Sequence, residues 1–361
     1  MNEPLYNILT MEMKQLYVKC CSNFLRQVAG FRASKVWPFC ADSDGFSVWK
    51  RSPSQPIPSE IEIDTKYLDV IIPGKGSQSN IPPVKVLALH GSPGTYSTFN
   101  EVKDALSAVD QDHGPIRWIV PNFPGNGWSE ENQTNCFHHS SLERAEFVAD
   151  FLNVLKINQL DLMVGHSAGC YVMMRLLAVN PSLAKHSLFI NPGGLTPHKM
   201  VRPYWFIQLL ARLHEHWLLR PIVCGLLYIQ NKFIFKVNHR SWLSLAQPLL
   251  TMARVGMEEL RQIVLAKRSQ WTQPHHAMAL VYGEKDTLVE SEKSLELLEI
   301  LGFPDPPIRV DPEQNLKQIL TEANHSLAAT AKTALALTAE GHVIPKRQPQ
   351  LIAELIVSLA S

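Results

Sequence analysis

Gln159-Leu160-Asp161-Leu162-Met163-Val164-Gly165-His166-Ser167-Ala168-Gly169-Cys170-Tyr171-Val172-Met173-Met174 is the stretch on which the reading of this chain turns. Its first six residues make an apolar run of strand length, and the run from Cys170 to Leu177 has helical length. The five residues between them, Gly165 to Gly169, follow the pattern G-x-S-x-G, so the segment reads as strand, sharp turn and helix. Side chains at the flanking positions would strike the neighbouring strand or helix, which is why both are glycine. Such a turn thrusts Ser167 out at the end of a strand as a candidate nucleophile.

Working outward, Val84-Lys85-Val86-Leu87-Ala88-Leu89 is a second buried-strand pattern, and it ends in His90-Gly91-Ser92-Pro93-Gly94. A third, Ile116-Arg117-Trp118-Ile119-Val120, runs into Pro121-Asn122-Phe123-Pro124-Gly125-Asn126-Gly127-Trp128-Ser129. With these motifs in this order, the chain resembles the α/β-hydrolase superfamily, whose members commonly carry H-G-x-P-G, P-G-x-G-x-S and G-x-S-x-G. The resemblance extends over residues 84–361 and points to a cap-bearing branch. It implies a mostly parallel central sheet flanked by helices, with a helical cap inserted over the site. It also implies an oxyanion hole built from the backbone N–H groups of Ser92 and Ala168, in a loop supported by His90 and Gly91.

A serine hydroxyl needs a base to take its proton and an acid to orient that base. The strand pattern Met278-Ala279-Leu280-Val281-Tyr282 leads into Gly283-Glu284-Lys285-Asp286, and the resemblance assigns the acid role to Asp286, not Glu284. The other place some members put an acid holds Asn191. Two histidines compete for the base. His325 lies in Glu322-Ala323-Asn324-His325, with no clear strand before it. His342 follows Thr333-Ala334-Leu335-Ala336-Leu337-Thr338, a plausible last strand, and precedes an amphipathic closing helix with apolar residues at 351, 352, 355, 356 and 359. His342 is therefore preferred. His166 is expected to support the turn and Cys170 to be a buried apolar residue.

The rest of the chain narrows the function classes. A length of 361 residues with 45% hydrophobic content supports one large core plus an insertion. A net charge of +1 gives no global pull toward nucleic acid. The six cysteines include no C-x-x-C pair, which favours a reducing intracellular and cytoplasmic setting. The histidine pairs at 138–139 and 275–276, and His214 with His216, lack metal-site spacing, and neither metal nor cofactor is expected.

Four segments are expected. Residues 1–58 read as an N-terminal helical extension, periodic from Met13 to Val28, followed by a linker at 51–58. Residues 59–196 and 274–361 form the two parts of the core, which begins with a strand from Ile61 to Ile72. In the first part, Ser140 and Glu143 make a capping-box pattern ahead of a helix. Residues 197–273, where strand patterning stops, form the cap; it holds four of the eight tryptophans and eleven Lys and Arg against three Glu. A basic, aromatic cap suits an acyl substrate with an anionic head or a membrane interface; the plainer alternative is a layer packed on the body with solvated charges. The N-terminal segment, basic from Lys14 to Lys35, offers a second route to peripheral membrane or mitochondrial association.

The resemblance thus implies a serine hydrolase of a carboxylic ester, lipid-like or a thioester, acting through Ser167, His342 and Asp286. The alternatives are a cofactor-free lyase or C–C bond hydrolase on the same fold, or a binding protein that kept the pocket.

Overall fold

The computed structural model describes residues 14–21, 60–74, 81–109, 114–126, 139–230, 232, 242–271 and 276–360. Nine strands form one sheet: β1 (Lys14–Cys21), β2 (Glu60–Ile72), β3 (Val84–Leu89), β4 (Ile116–Pro121), β5 (Leu160–His166), β6 (Ala184–Ile190), β7 (Met278–Gly283), β8 (Ile308–Val310) and β9 (Lys332–Leu337). Their order across the sheet is β1-β2-β4-β3-β5-β6-β7-β9-β8. The pairs β1/β2 and β2/β4 are antiparallel, and every other pair is parallel.

Parallel strands are buried on both faces, and the period of two along each strand sorts its side chains between two cores. Leu87, Met163, Phe189 and Leu280 face one core, completed by α2 (Ser141–Val154), α3 (Gly169–Val179) and α8 (Ser291–Leu301). Val86, Val164, Leu188 and Val281 face the other, completed by α1 (Asn100–Leu106), α9 (Leu316–Thr330) and α10 (Pro349–Ala360). The N-terminus of α2 forms as its sequence predicts, with the Ser140 side chain accepting from the Glu143 N–H at 3.1 Å.

Between β6 and β7 lie α4 (Tyr204–Glu215), α5 (Arg220–Gln230), α6 (Trp242–Ala253) and α7 (Met257–Trp271). The first three share a core of their own, with Ala211, Val223, Cys224, Leu227, Leu245 and Leu249 at its centre. The last is tied to the body. Buried Arg175 of α3 donates two hydrogen bonds to Glu259, at 2.9 and 3.2 Å, and Trp271 Nε1 donates to the Leu177 carbonyl at 3.1 Å.

The expected N-terminal helix is corrected. Residues 14–21 form β1, paired antiparallel with β2 from Lys14 opposite Tyr67 to Cys21 opposite Glu60. The physical reason is the unpaired edge that β2 would otherwise present, since an adjoining segment containing Tyr17 and Val18 can satisfy its backbone groups as a strand. The remainder of the 1–58 extension, including the linker at 51–58, lies outside the described residues. The strand β8 has no signal in the sequence, since its three residues sit among prolines and are too few to show a period. Among the described residues, no helix is long and apolar enough to cross a membrane.

Candidate active site

Four parallel strands end along one edge of the sheet, and the loops that follow them bring distant residues together. After β5 the chain turns at Ser167, whose φ of 52° lies in the left-handed region that a residue with a Cβ rarely adopts. The turn is held by the Ser167 N–H donating to the Ile190 carbonyl at 2.9 Å. A Cβ on Gly169 would lie 2.1 Å from the Leu89 carbonyl oxygen, so β3 and α3 can approach only because this residue is glycine. The His90-Gly91-Ser92 loop after β3 runs equally close to the serine. A Cβ on Gly91 would lie 2.8 Å from Ser167 Cβ.

His342, in the loop after β9, places Nε2 2.8 Å from Ser167 Oγ and Nδ1 2.6 Å from Asp286 Oδ2. An ionised carboxylate only accepts, so Nδ1–H donates to Asp286 and Nε2 is left to accept from the serine hydroxyl. The other oxygen of Asp286 accepts from the N–H groups of Leu288 and Val289 at 2.8 and 3.0 Å. Burial by itself raises the pKa of Asp286, but the hydrogen bond and charge of His342, helped by these two N–H donors, bring it below the usual carboxylate value. The Asp286 side chain is 3% exposed and that of His342 14%, while Ser167 is half-buried. His325 is an exposed residue on α9, and Glu284 points to Arg309 at 3.2 Å.

The loop facing the serine has its own ordered network. His90, fully buried, donates from Nδ1 to the Gly91 carbonyl at 2.7 Å and accepts at Nε2 from the Phe123 N–H at 3.1 Å. Desolvation pushes its pKa down to about 3, so the ring stays neutral and this donor-acceptor pattern persists. Of the residues named for the oxyanion hole, Ala168 directly follows Ser167, and Ser92 directly follows Gly91, which lies against the serine. His166 donates from Nε2 to the His342 carbonyl at 2.9 Å, supporting the loop that carries His342. Its pKa is also held at about 3, first by burial and then by His342. Cys170 is buried, hydrogen-bonded to the Gly165 carbonyl at 3.2 Å, and pushed up to about 12 by desolvation.

Two residues of this edge make bridging contacts that no local sequence pattern shows. Asn191, at φ 43°, accepts from the Gly283 N–H at 2.9 Å and donates to the Gly341 carbonyl at 3.0 Å, bridging the loops of Asp286 and His342. Gln247, buried on α6, accepts from the Ser92 hydroxyl at 3.2 Å and donates to Thr251 Oγ1 at 3.0 Å. Both act across more than 90 residues of sequence, where no local pattern can register them. Among the described residues, no group of three His, Cys, Asp or Glu is arranged to hold a metal ion.

A mostly parallel sheet covered on both faces, with a serine on a strained strand-to-helix turn, defines an α/β-hydrolase fold. Residues 55–360 match the family described as alpha/beta hydrolase of unknown function (DUF1057), and the chain belongs to that family. No curated protein matches the chain by sequence. Among solved structures it is similar to a haloalkane dehalogenase from Bradyrhizobium elkani USDA94, with 14% identity and a TM-score of 0.54 over 82% of this chain and 94% of that chain. It is also similar to an alpha/beta hydrolase fold protein from Burkholderia ambifaria, with 12% identity and a TM-score of 0.53 over 82% and 94%. At these identities the likeness concerns the fold.

Proposed function

We propose that the chain is a serine hydrolase of carboxylic esters, with Ser167 as nucleophile, His342 as general base and acid, and Asp286 as the group that orients and stabilises the imidazole. The observation that carries this reading is the unbroken chain of hydrogen bonds from Ser167 Oγ through both nitrogens of His342 to Asp286. Ser167 Oγ bonds to the ester carbonyl carbon while its proton passes to His342 Nε2. The N–H groups of Ser92 and Ala168 receive the negative charge that develops on the carbonyl oxygen, an effect worth about 3–4 kcal/mol per donor in such sites. The carbon–oxygen bond to the alcohol then breaks and the alcohol leaves with the proton from His342. Water repeats the sequence on the acyl-enzyme, and the balance is ester plus water to acid plus alcohol.

The activity of the dehalogenase does not extend to this chain. Displacing a halide with a serine oxygen would leave an ether, which water at this site could not hydrolyse, whereas attack on an acyl carbon leaves a hydrolysable ester. Residues 197–273 serve as the cap on this reading, supported by the Gln247 contact with Ser92. The buried free thiols of Cys170 and Cys224 support a reducing intracellular compartment.

Fluorophosphonate labelling of the full chain, with turnover of a short p-nitrophenyl ester, tests the assignment. The parent should label once, and Ser167→Ala and His342→Ala should not label. Undiminished labelling of a folded Ser167→Ala protein would overturn it. Labelling without ester turnover would move the substrate toward a C–C bond.

A further inference from the structure

The hairpin of α4 and α5 turns one face into the insertion's own core and the other into solvent, and the solvent face is apolar. Of the fifteen exposed large hydrophobic side chains among the described residues, ten lie between Trp205 and Ile229. On α5, Ile222, Leu226 and Ile229 recur at i, i+4 and i+7 with exposures of 63%, 57% and 56%, opposite the buried Val223, Cys224 and Leu227. A helix apolar on both sides is ordinarily covered on both. Trp205 on α4 is 65% exposed and Trp217, in the connection between the helices, 74%. Monomeric soluble proteins rarely leave such a contiguous patch bare.

Charge indicates the occupant. From Lys199 to Gly256 the sequence holds eight Lys and Arg and a single acid, Glu215. Glu215 is engaged by Arg254, the residue after α6, and the Glu290 carboxylate, from outside the segment, pairs with Arg202. Arg220 heads α5 and exposed Lys232 follows its end, so cations flank the apolar stripe at both ends. Interleaved Trp, Leu and Ile framed by Arg and Lys is the pattern that settles at the headgroup boundary of an anionic bilayer.

We infer that the outer face of α4, the 216–219 connection and α5 docks on an anionic lipid surface. Docking here goes beyond the hydrolytic reading and does not require it, because it uses exposed apolar side chains and not Ser167, His342 or Asp286. The connection to the site is indirect: α5 packs on α6 through Val223, Leu227, Leu245 and Leu249, and α6 presents Gln247 to the Ser92 loop. A surface-bound hairpin would hold the insertion in one position over that loop.

Flotation of the full-length Ser167→Ala chain with vesicles reads binding without turnover, so its outcome is independent of the hydrolase assignment. Vesicles of equal parts phosphatidylcholine and phosphatidylglycerol should carry the protein, and phosphatidylcholine alone should hold it about tenfold less. Adding Trp205→Ser, Trp217→Ser and Ile222→Ser, all at exposed positions, should lower binding about tenfold while the thermal midpoint stays unchanged. Raising salt to 1 M, where the Debye length falls to about 3 Å, should weaken binding of the parent. No binding by the parent would overturn the inference. So would unchanged binding of the folded triple variant, which would move the contact to another segment. A stable dimer in sedimentation, dissociated by the same three substitutions, would assign the face to a second copy instead.

Discussion

Two serine–histidine pairs of almost equal length stand at different levels of the parallel sheet, and only one has a carboxylate on the far nitrogen of its histidine. Ser167 and His342 are 2.8 Å apart at the ends where β5 and β9 finish; Ser187, in the middle of β6, and His276, just before β7, are 2.9 Å apart. His342 has Asp286 on its far nitrogen, whereas the charged and titratable groups acting on His276 are His186 and Lys332, which disfavour its protonation. Ser167 sits on a strained, half-exposed turn, while Ser187 is an ordinary strand residue with no exposed surface. A serine–histidine distance therefore does not make a nucleophile. The carboxylate on the far imidazole nitrogen, the strained turn and the partial exposure of the serine distinguish the two pairs.

Exchanging each serine for alanine gives the widest separation. Ser167→Ala should lower kcat for an ester by on the order of a million-fold with little change in stability. Ser187→Ala should leave kcat within a few-fold but cost about 1–3 kcal/mol, because it strips a buried imidazole of its partner. Steady-state kinetics and denaturant unfolding of both variants measure the contrast, and comparable kinetic losses would erase it. Asp286→Asn comes next. It permits the wrong tautomer at His342 and should reduce kcat by about 10⁴-fold while the protein remains folded. A loss under tenfold would show that the carboxylate does not orient the base.

The second pair, with its buried relatives, should instead be visible in stability against pH. His90 and His166 are held at about 3 and His276 at about 4, in each case first by desolvation. The unfolded chain takes up protons on these rings near pH 6.5, so between about pH 4 and 6.5 it binds more protons than the folded state and stability rises with pH. Each ring contributes a slope of about 1.4 kcal/mol per pH unit in that window and none above it. Unfolding measured from pH 7 to 4.5 should show this decline, and His276→Gln should flatten it by one proton's share. An unchanged slope in that variant would remove His276 from the account.

The difference between the pairs also explains what could be read in advance. Ser167 was legible because its chemistry and its backbone strain are written in five consecutive residues. That Asp286 and His342 would meet the serine was legible because each follows an apolar run at a strand end, in the places the family resemblance implies, and His325 lacks such a run. Ser187–His276, Asn191 and Gln247 were not legible, since their partners are brought together by strand order and helix docking alone. The β1 segment failed for a different reason. Its residues fit a helical period as well as an alternating one, and the choice depended on the free edge of β2, which no window around residues 14–21 contains.

Gln247 offers the finest test of how the insertion bears on the first pair, and the smallest expected effect. Its side chain fixes the Ser92 hydroxyl and is itself held by Thr251, so it positions the loop whose N–H is assigned to the oxyanion without approaching the reacting atoms. Gln247→Leu keeps the volume and removes the hydrogen bond; Thr251 remains satisfied because its hydroxyl also donates to the Gln247 backbone carbonyl at 2.8 Å. A loosened donor should reduce kcat about fivefold, equivalent to about 1 kcal/mol, with KM little changed. A general packing defect would lower stability without this kinetic split. Ser92→Ala should produce a similar loss, and the double variant should be little worse than either, because both substitutions break one contact. Fully additive losses would show that Gln247 and Ser92 act separately, and would leave the insertion without a polar hold on the site.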